Sequence, residues 1–357
     1  MHAEEHEEGQ FATIPMRWVG PARLTGPVVE GEVMFPLATY ETPLWPSVER
    51  GARVSGVSGG IAVVVADERM TRSVLVEARS AGEALAARDW LMSAQGEAAG
   101  EAAATSRFAR LKEIHTQVVG GLLFVRFEFS TGDAAGHNMA TKAAERMLDW
   151  MLERRRELSY VSISGNYCSD KKATAVNGIL GRGKYVVAEM TVPEKICRRY
   201  LKTTASAVAA LNVKKNLIGT MMAGGLRSGN AHFANMLLGF YLATGQDAAN
   251  VVEGSQGMVH AEARGEDLYF SCTLPNVIVG TAGNGKDLAF VRENLARLGC
   301  LEDRAPGENA RRLAAICGAA VLCGELSLLA AQTNRGELMA AHERLERSGA
   351  AKRGGGA

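Results

Sequence analysis

Polar and apolar positions change their period several times along the chain. The segment GLLFVRFEFS (121–130) alternates, which puts Leu123, Val125, Phe127 and Phe129 on one face of a strand. In NMATKAAERMLDWMLERRREL (138–158), Met139, Ala143, Met147, Trp150 and Met151 recur at helical spacing. YVSISGNY (160–167) reads as a strand again. Upstream, AGEALAARDWLMSAQGEAAGEAAATSRFARLKEI is rich in Ala and charge and predicts helix between Ser80 and Lys112. Before that, VVEGEVMFP, RVSGVSGGIAVVVAD and SVLVEA alternate β-branched runs with Gly and Pro, the texture of strands and turns. Strand, helix, strand, helix, strand predicts a compact α+β module at 80–162. Around it stand long apolar helices: EKICRRYLKTTASAVAALNVKKNL, NAHFANMLLGFYLATG and ENARRLAAICGAAVLCGELSLLAAQ. No internal repeat is visible.

Composition narrows the class. With 357 residues the prior is two domains or one large one. Lys and Arg number 40 against 39 Asp and Glu, a net charge of +1, so the basic excess of nucleic-acid or membrane-surface binders is absent. The acidic start MHAEEHEEGQ is the opposite of a secretory signal. No apolar run reaches 18 residues, so no transmembrane helix is expected. Six scattered cysteines without a CxxC pair suggest reduced thiols and a cytoplasmic protein.

Six segments stand out. In SISGNYCSDKKATAVN (162–177), Asp170, Lys171 and Lys172 precede an apolar helix. Cations there oppose the helix dipole, which is tolerated when they face an anion or carboxylates; a solvated Lys pair beyond an N-cap is the plainer alternative. TGDAAGHNMATK (131–142) joins a strand to a helix N-terminus through a Gly turn, a ready anion site or a simple capped helix. SGNAHFANM and TGQDAAN put His232, Asn235 and Asp247 in or beside one apolar helix. Asp247 is expected to be partly buried, with Lys171 a plausible partner. VGTAGNGK (279–286) is a Gly-rich loop, and PLATYE (36–41) ends a strand at Glu41.

Taken in order along the chain, these motifs resemble the catalytic region of the 3-hydroxy-3-methylglutaryl-coenzyme A reductases. The matching segments are PLATYE, MTRS, TSRFARL, TGDAAGHNM, SGNYCSDKKA, GRGKYVV, KNLIGTMMAGG, NAHFAN, GQDAAN, GTAGNG, PGENARRLA and GELSLLAA, spanning about residues 14–345. The wording of TSRFARL and HNM is similar to the eukaryote and archaeal class, in a short soluble form without a membrane anchor.

The resemblance implies an α+β fold. A large helix-rich substrate domain (14–79 and 176–325) would carry an inserted ferredoxin-like cofactor domain (80–162). A tail (1–13), a connecting catalytic loop (163–175) and a C-terminal lid with tail (326–357) complete it. It implies reduction of the thioester to mevalonate and coenzyme A by two NADPH, in a homodimer or higher even oligomer with its site between subunits, and no metal. Lys171 would stabilise the oxyanion, and His342 would protonate the departing thiolate. Glu41, kept protonated by burial and by Asp247, would protonate the final alkoxide; Asp247 would bridge Glu41 and Lys171. Ser164, Asp170, Lys172, His232 and Asn235 would hold the hydroxymethylglutaryl part, and Arg50, Lys202 and Lys215 coenzyme A. Asp133, Gly136 and Asn138 would form the dinucleotide turn. Ser106 and Arg107 would read the 2′-phosphate, favouring NADPH over NADH. One departure is Glu77, where the family often carries Arg; Arg79 is a candidate substitute on the same strand face. The same residues would also serve NAD-dependent oxidation of mevalonate, and a decayed, non-catalytic thioester-binding protein is the rival from another class.

Overall fold

The structure, a computed structural model, describes residues 12–337 and Met339. Seven strands form the main sheet: β1 (Met16–Thr25), β2 (Gly31–Ala38), β3 (Ile61–Glu77), β7 (Gly183–Val192), β8 (Ser228–Gly229), β9 (Gly257–Arg264) and β10 (Asp267–Val277), in the order β2-β1-β3-β7-β10-β9-β8. Only the first half of β3 pairs with β7; its second half, Met70–Glu77, turns into another sheet with β4 (Arg110–Val119), β5 (Leu122–Ser130) and β6 (Ser159–Ser162). That sheet runs β6-β3-β5-β4, all antiparallel. Across it lie α2 (Ala81–Ser93), α3 (Gln95–Ala103) and α4 (His137–Arg154). The β-α-β-β-α-β succession in that strand order is the expected ferredoxin-like arrangement.

Each sheet has its own core. Leu123, Val125, Phe127 and Phe129 are all fully buried beneath α2–α4, as the alternation of β5 requires, each Phe contributing roughly 1.5–3 kcal/mol. This core also holds Met70, Val74 and Val76, so the small unit begins inside β3 and not at residue 80. The large core surrounds α12 (Glu308–Gln332), which packs on β7, β10, α1 (Leu44–Val57) and α9 (Phe233–Ala243). The remaining helices are short: α5 (Ala175–Leu180), α6 (Glu194–Ile196), α7 (Ala205–Leu211), α8 (Thr220–Met222), α10 (Val251–Gly254) and α11 (Ala289–Arg297).

Several expectations are corrected. RVSGV, read as strand, is the end of α1: its Val54 and Ser55 are buried, and Ser55 Oγ accepts from Arg23 N of β1 at 3.0 Å. RLKEI, read as helix, opens β4. The segment 194–217 is not one helix; it breaks at Lys202, whose φ of 55° is left-handed. The helix-rich reading of the large unit missed β7, β9 and β10. α12 does have the length and mean hydropathy (2.0) to cross a membrane, contrary to the run-length reading, but 94% of that window is buried inside the fold. It is a core helix. All six cysteines are buried and unpaired.

Candidate active site

The loop 163–175 is held from below by buried polar side chains. Arg126 donates to the carbonyl of Tyr167 (3.2 Å) and to Asn177 Oδ1 (2.8 Å), Asn177 Nδ2 donates to Ser169 O (2.9 Å), and Thr71 Oγ1 to Cys168 O (3.2 Å). So anchored, the loop carries three non-glycine residues in the left-handed region: Asn166, Ser169 and Lys171. At its tip Lys171 Nζ lies 2.8 Å from Asp247 Oδ2. Asp247 caps the short 3₁₀ turn Ala248–Asn250, accepting from Ala249 N at 3.0 Å.

This pair is the sequence-level constellation in space. The bond to Asp247 holds the Lys171 ammonium above its usual range. Partial burial works to raise the Asp247 carboxyl, but the Lys171 and Ala249 donors outweigh it and hold it low. The partial burial expected of Asp247 is modest in one chain: its side chain is 45% exposed, because it follows α9 on a surface turn.

Behind the pair stands fully buried Arg182. Its Nη2 reaches Asp170 Oδ1 (3.0 Å), and its Nη1 reaches Glu253 Oε1 (2.7 Å). His137, in the first turn of α4, places Nε2 3.9 Å from Asp170 Oδ1. Burial and the Arg182 charge push its imidazole down to about 4. Lys172 Nζ is exposed and turns back to Asp170 O (3.2 Å). Ser164 is half-buried on the same loop.

A second group forms at the start of α9. Glu41 Oε2 accepts from Asn235 Nδ2 (3.0 Å). Asn235 also lies 3.4 Å from His232 Nδ1, while His232 Nε2 lies 3.0 Å from Gly324 O, a pattern that assigns the ring proton to Nε2. Buried Glu325 of α12 accepts from the N–H groups of Ala231 (2.9 Å) and His232 (2.5 Å). Burial pushes its carboxyl up, against the opposing pull of those donors. The bridge from Asp247 to Glu41 is not among the hydrogen bonds of the described residues, and Glu41 is exposed. The expected burial of Glu41 is therefore absent from a single chain.

Of the predicted coenzyme A residues, Lys202 lines a cavity of about 480 Å³, with Arg198, Thr203, Thr204, Ala207, Thr333 and Asn334. Lys215 is half-buried beside Asn216 Oδ1 (3.0 Å), and burial pushes its ammonium down while Glu325 opposes this. Arg50 is engaged inside the chain, by Glu337 (2.8 Å) and Ser327.

Of the dinucleotide residues, Gly136 caps α4 with φ 99°; a Cβ there would stand 2.5 Å from Thr131 Cγ2, so only glycine fits. No side chain caps this helix N-terminus, which leaves its N–H groups for an anion. Asn138 is exposed in its first turn. Exposed Arg107 stacks on Phe108, and Ser106 Oγ accepts from Phe108 N. Asp133 differs from expectation: its carboxylate caps α12 through Gly307 N and Ala310 N (3.0 Å each) and so supports the turn from behind. Arg79 lies beyond the end of β3 and pairs with Glu83, so it does not replace an arginine at Glu77. His342 lies outside the described residues.

Arg182, Glu253, Glu325 and His137 were missed by the sequence reading, as was Arg72 on β3, whose Nε is buried without a partner among the described residues. The available signal for Arg72 was a basic residue at the same strand parity as Met70, Val74 and Val76; His137 and Arg182 lay within motifs already singled out, TGDAAGHNM and GRGKYVV, and Glu325 in a helix read as core.

The comparisons agree with one another. The family model described as hydroxymethylglutaryl-coenzyme A reductase matches residues 7–347. Among named relatives, the 3-hydroxy-3-methylglutaryl-coenzyme A reductase of Aeropyrum pernix is 44% identical, covering 94% of this chain and 80% of its own. That of Pyrococcus abyssi is 42% identical over 94% and 82%. A class II 3-hydroxy-3-methylglutaryl-CoA reductase from Streptococcus pneumoniae, solved with NADPH, superposes with a TM-score of 0.72 at 19% identity, covering 92% of this chain and 87% of that one, a likeness of fold. With the Lys171–Asp247 pair, the loop that presents it and a match along nearly the whole chain, this protein belongs to the hydroxymethylglutaryl-coenzyme A reductase family.

Proposed function

We propose that the chain reduces 3-hydroxy-3-methylglutaryl-coenzyme A to mevalonate and free coenzyme A with two NADPH, as a cytoplasmic homodimer. The Lys171–Asp247 contact carries this reading: a fixed ammonium beside a carboxylate, at the tip of a rigid loop, in a chain of this family. The thioester carbonyl gains negative charge in the first step, and Lys171 meets it. Asp247 keeps the lysine charged and aimed. The second step, on the aldehyde mevaldehyde, passes through a similar oxyanion, so Lys171 serves both. Asp170, Lys172, Ser164, Asn235 and His232 hold the carboxylate and hydroxyl of the substrate; Lys202, Lys215 and Arg50 hold coenzyme A, with Arg50 released from Glu337.

The residues near α4 fit a dinucleotide: an uncapped helix N-terminus opened by the left-handed Gly136, and exposed Arg107 for a 2′-phosphate. NADPH, when bound, supplies the hydrides. His342 protonates the coenzyme A thiolate between the two steps and Glu41 the final alkoxide.

Burial must keep a proton on Glu41 for that role. One chain leaves Glu41 and the Lys171–Asp247 pair open to water, and it also exposes Ile218, Met221, Met222 and Leu226. A second copy seated on that apolar surface would bury it and close the site. The direct test follows absorbance at 340 nm with the thioester and each reduced cofactor. Oxidation of NADPH with release of coenzyme A is expected; no consumption with either cofactor would overturn the reading.

A further inference from the structure

Lys171 is presented from an unfavourable backbone. Its φ of 55° is a conformation that is costly for a non-glycine residue and persists only where neighbours impose it. The neighbour in contact with that backbone is Glu253. This residue of α10 is fully buried, and its Oε1 accepts from the N–H of Lys171 at 3.1 Å. The same oxygen accepts from Arg182 Nη1 (2.7 Å) and Asn250 Nδ2 (3.1 Å). Arg182 carries the linkage onward to Asp170, the residue before the lysine, and to Thr71 Oγ1 (3.1 Å).

Two features separate this from an ordinary buried ion pair. An Arg–carboxylate pair gains most when both oxygens are engaged. Here three donors converge on one oxygen, and Glu253 Oε2 has no partner among the described residues. A buried ion pair is also a poor stabiliser compared with apolar packing of the same volume. The arrangement is thus explained by where it aims that one oxygen. Glu253 lies in the turn-and-helix segment that begins with Asp247, so it joins the main chain of Lys171 to the element carrying the partner of its ammonium.

We propose that Glu253 is a positioning residue for Lys171: with Arg182 it fixes the main chain from which the lysine reaches Asp247 and the reacting carbonyl. The inference rests on the reading of Lys171 as the cation of both reduction steps.

The test uses the full chain with the thioester and, separately, with mevaldehyde, in four forms: wild type, Glu253→Asp, Glu253→Gln and Lys171→Ala. Glu253→Asp draws the oxygen back by one methylene. Displacement of about 1 Å at a site can cost about 100-fold, so kcat should fall by that order with both substrates, while KM for NADPH and the melting temperature stay near wild type. Glu253→Gln keeps an acceptor in place and should restore most of kcat. An unchanged kcat in Glu253→Asp overturns the proposal. So does an equal loss in both variants, or failure of both to fold, since the residue would then be structural only. If Lys171→Ala is inactive while Glu253→Asp is normal, positioning alone fails; if Lys171→Ala is active, the underlying reading of Lys171 fails.

Discussion

The proposed mechanism concentrates its chemistry in the Lys171 ammonium, and replacing it isolates that contribution. Lys171→Ala should lower turnover of both the thioester and mevaldehyde by at least the roughly 100- to 1000-fold lost with one oxyanion donor. Near-normal rates on either substrate, read at 340 nm, would remove the lysine from that step. The pair it forms should also be silent across the working pH range. Asp247 is held below its ordinary 3.8 and Lys171 above its ordinary 10.5. A carboxyl depressed in the folded state adds stability above its unfolded value and loses it as pH falls through the folded one; the raised lysine does the reverse at the alkaline end. Both side chains are almost half exposed, so the contribution is small. The carboxyl carbon resonance of Asp247 should therefore stay flat between about pH 8 and pH 5; a titration step inside that window would show the pair is not formed in solution. Arg107 is a third residue-scale case. If it reads the 2′-phosphate, Arg107→Ala should raise KM for NADPH by roughly 10- to 150-fold, the worth of a charged hydrogen bond, and leave KM for NADH almost unmoved.

At the scale of elements, close approach of α1 to α12 decides a position that no single residue type announces. A Cβ on Gly51 would stand within bonding distance of the Cys323 backbone, so Gly51→Ala must push two helices apart. Overpacking of this kind costs roughly 1–3 kcal/mol, and melting temperature should fall with little change in KM. RVSGV misled because its β-branched and small residues suit a strand locally, while in the fold it ends α1 with Val54 and Ser55 buried; packing overrode propensity. Where one face is apolar and the other polar, the pattern was legible: β5 and α4 follow their alternation and period. β7 alternates as well, with Val186, Ala188, Met190 and Val192 buried on one face and Tyr185, Val187 and Glu189 half-buried on the other, but Val187 and Tyr185 on that second face blur the period, and the strand went unseen. The site divides likewise. Lys171 and Asp247 were legible from their motifs, and their contact was a fair expectation. Glu253 and Arg182 were not, because a buried charge is recognised only through partners that the fold brings from 71 residues away.

The whole molecule poses the question of burial. A site that transfers hydride works best without water, yet Glu41, Lys171 and Asp247 are open in one chain. If a second copy covers them, Met222→Glu should convert the dimer to a monomer in sedimentation, and activity should fall in step with the monomer fraction. A monomeric variant with full turnover would show that each chain closes its own site.

The division of β3 between two sheets has a consequence for a chain leaving the ribosome. The small sheet is complete once residue 162 has emerged, because β3, β4, β5, β6 and α4 are contiguous in sequence. The large sheet is not: β1, β2 and the first half of β3 wait for β7 and β10, and α1 waits for α12, which ends at Gln332. Domains generally fold as units, the earlier one first during synthesis. The inserted unit should thus fold first while the strands that open the chain lack the sheet partners and core that β7, β10 and α12 bring, an inversion of N-to-C order. Nascent chains arrested about 40 residues beyond Ser162, enough to clear the exit tunnel, should protect 70–162 from protease before 16–60. The middle of this protein would then be the template on which its beginning and end finally meet.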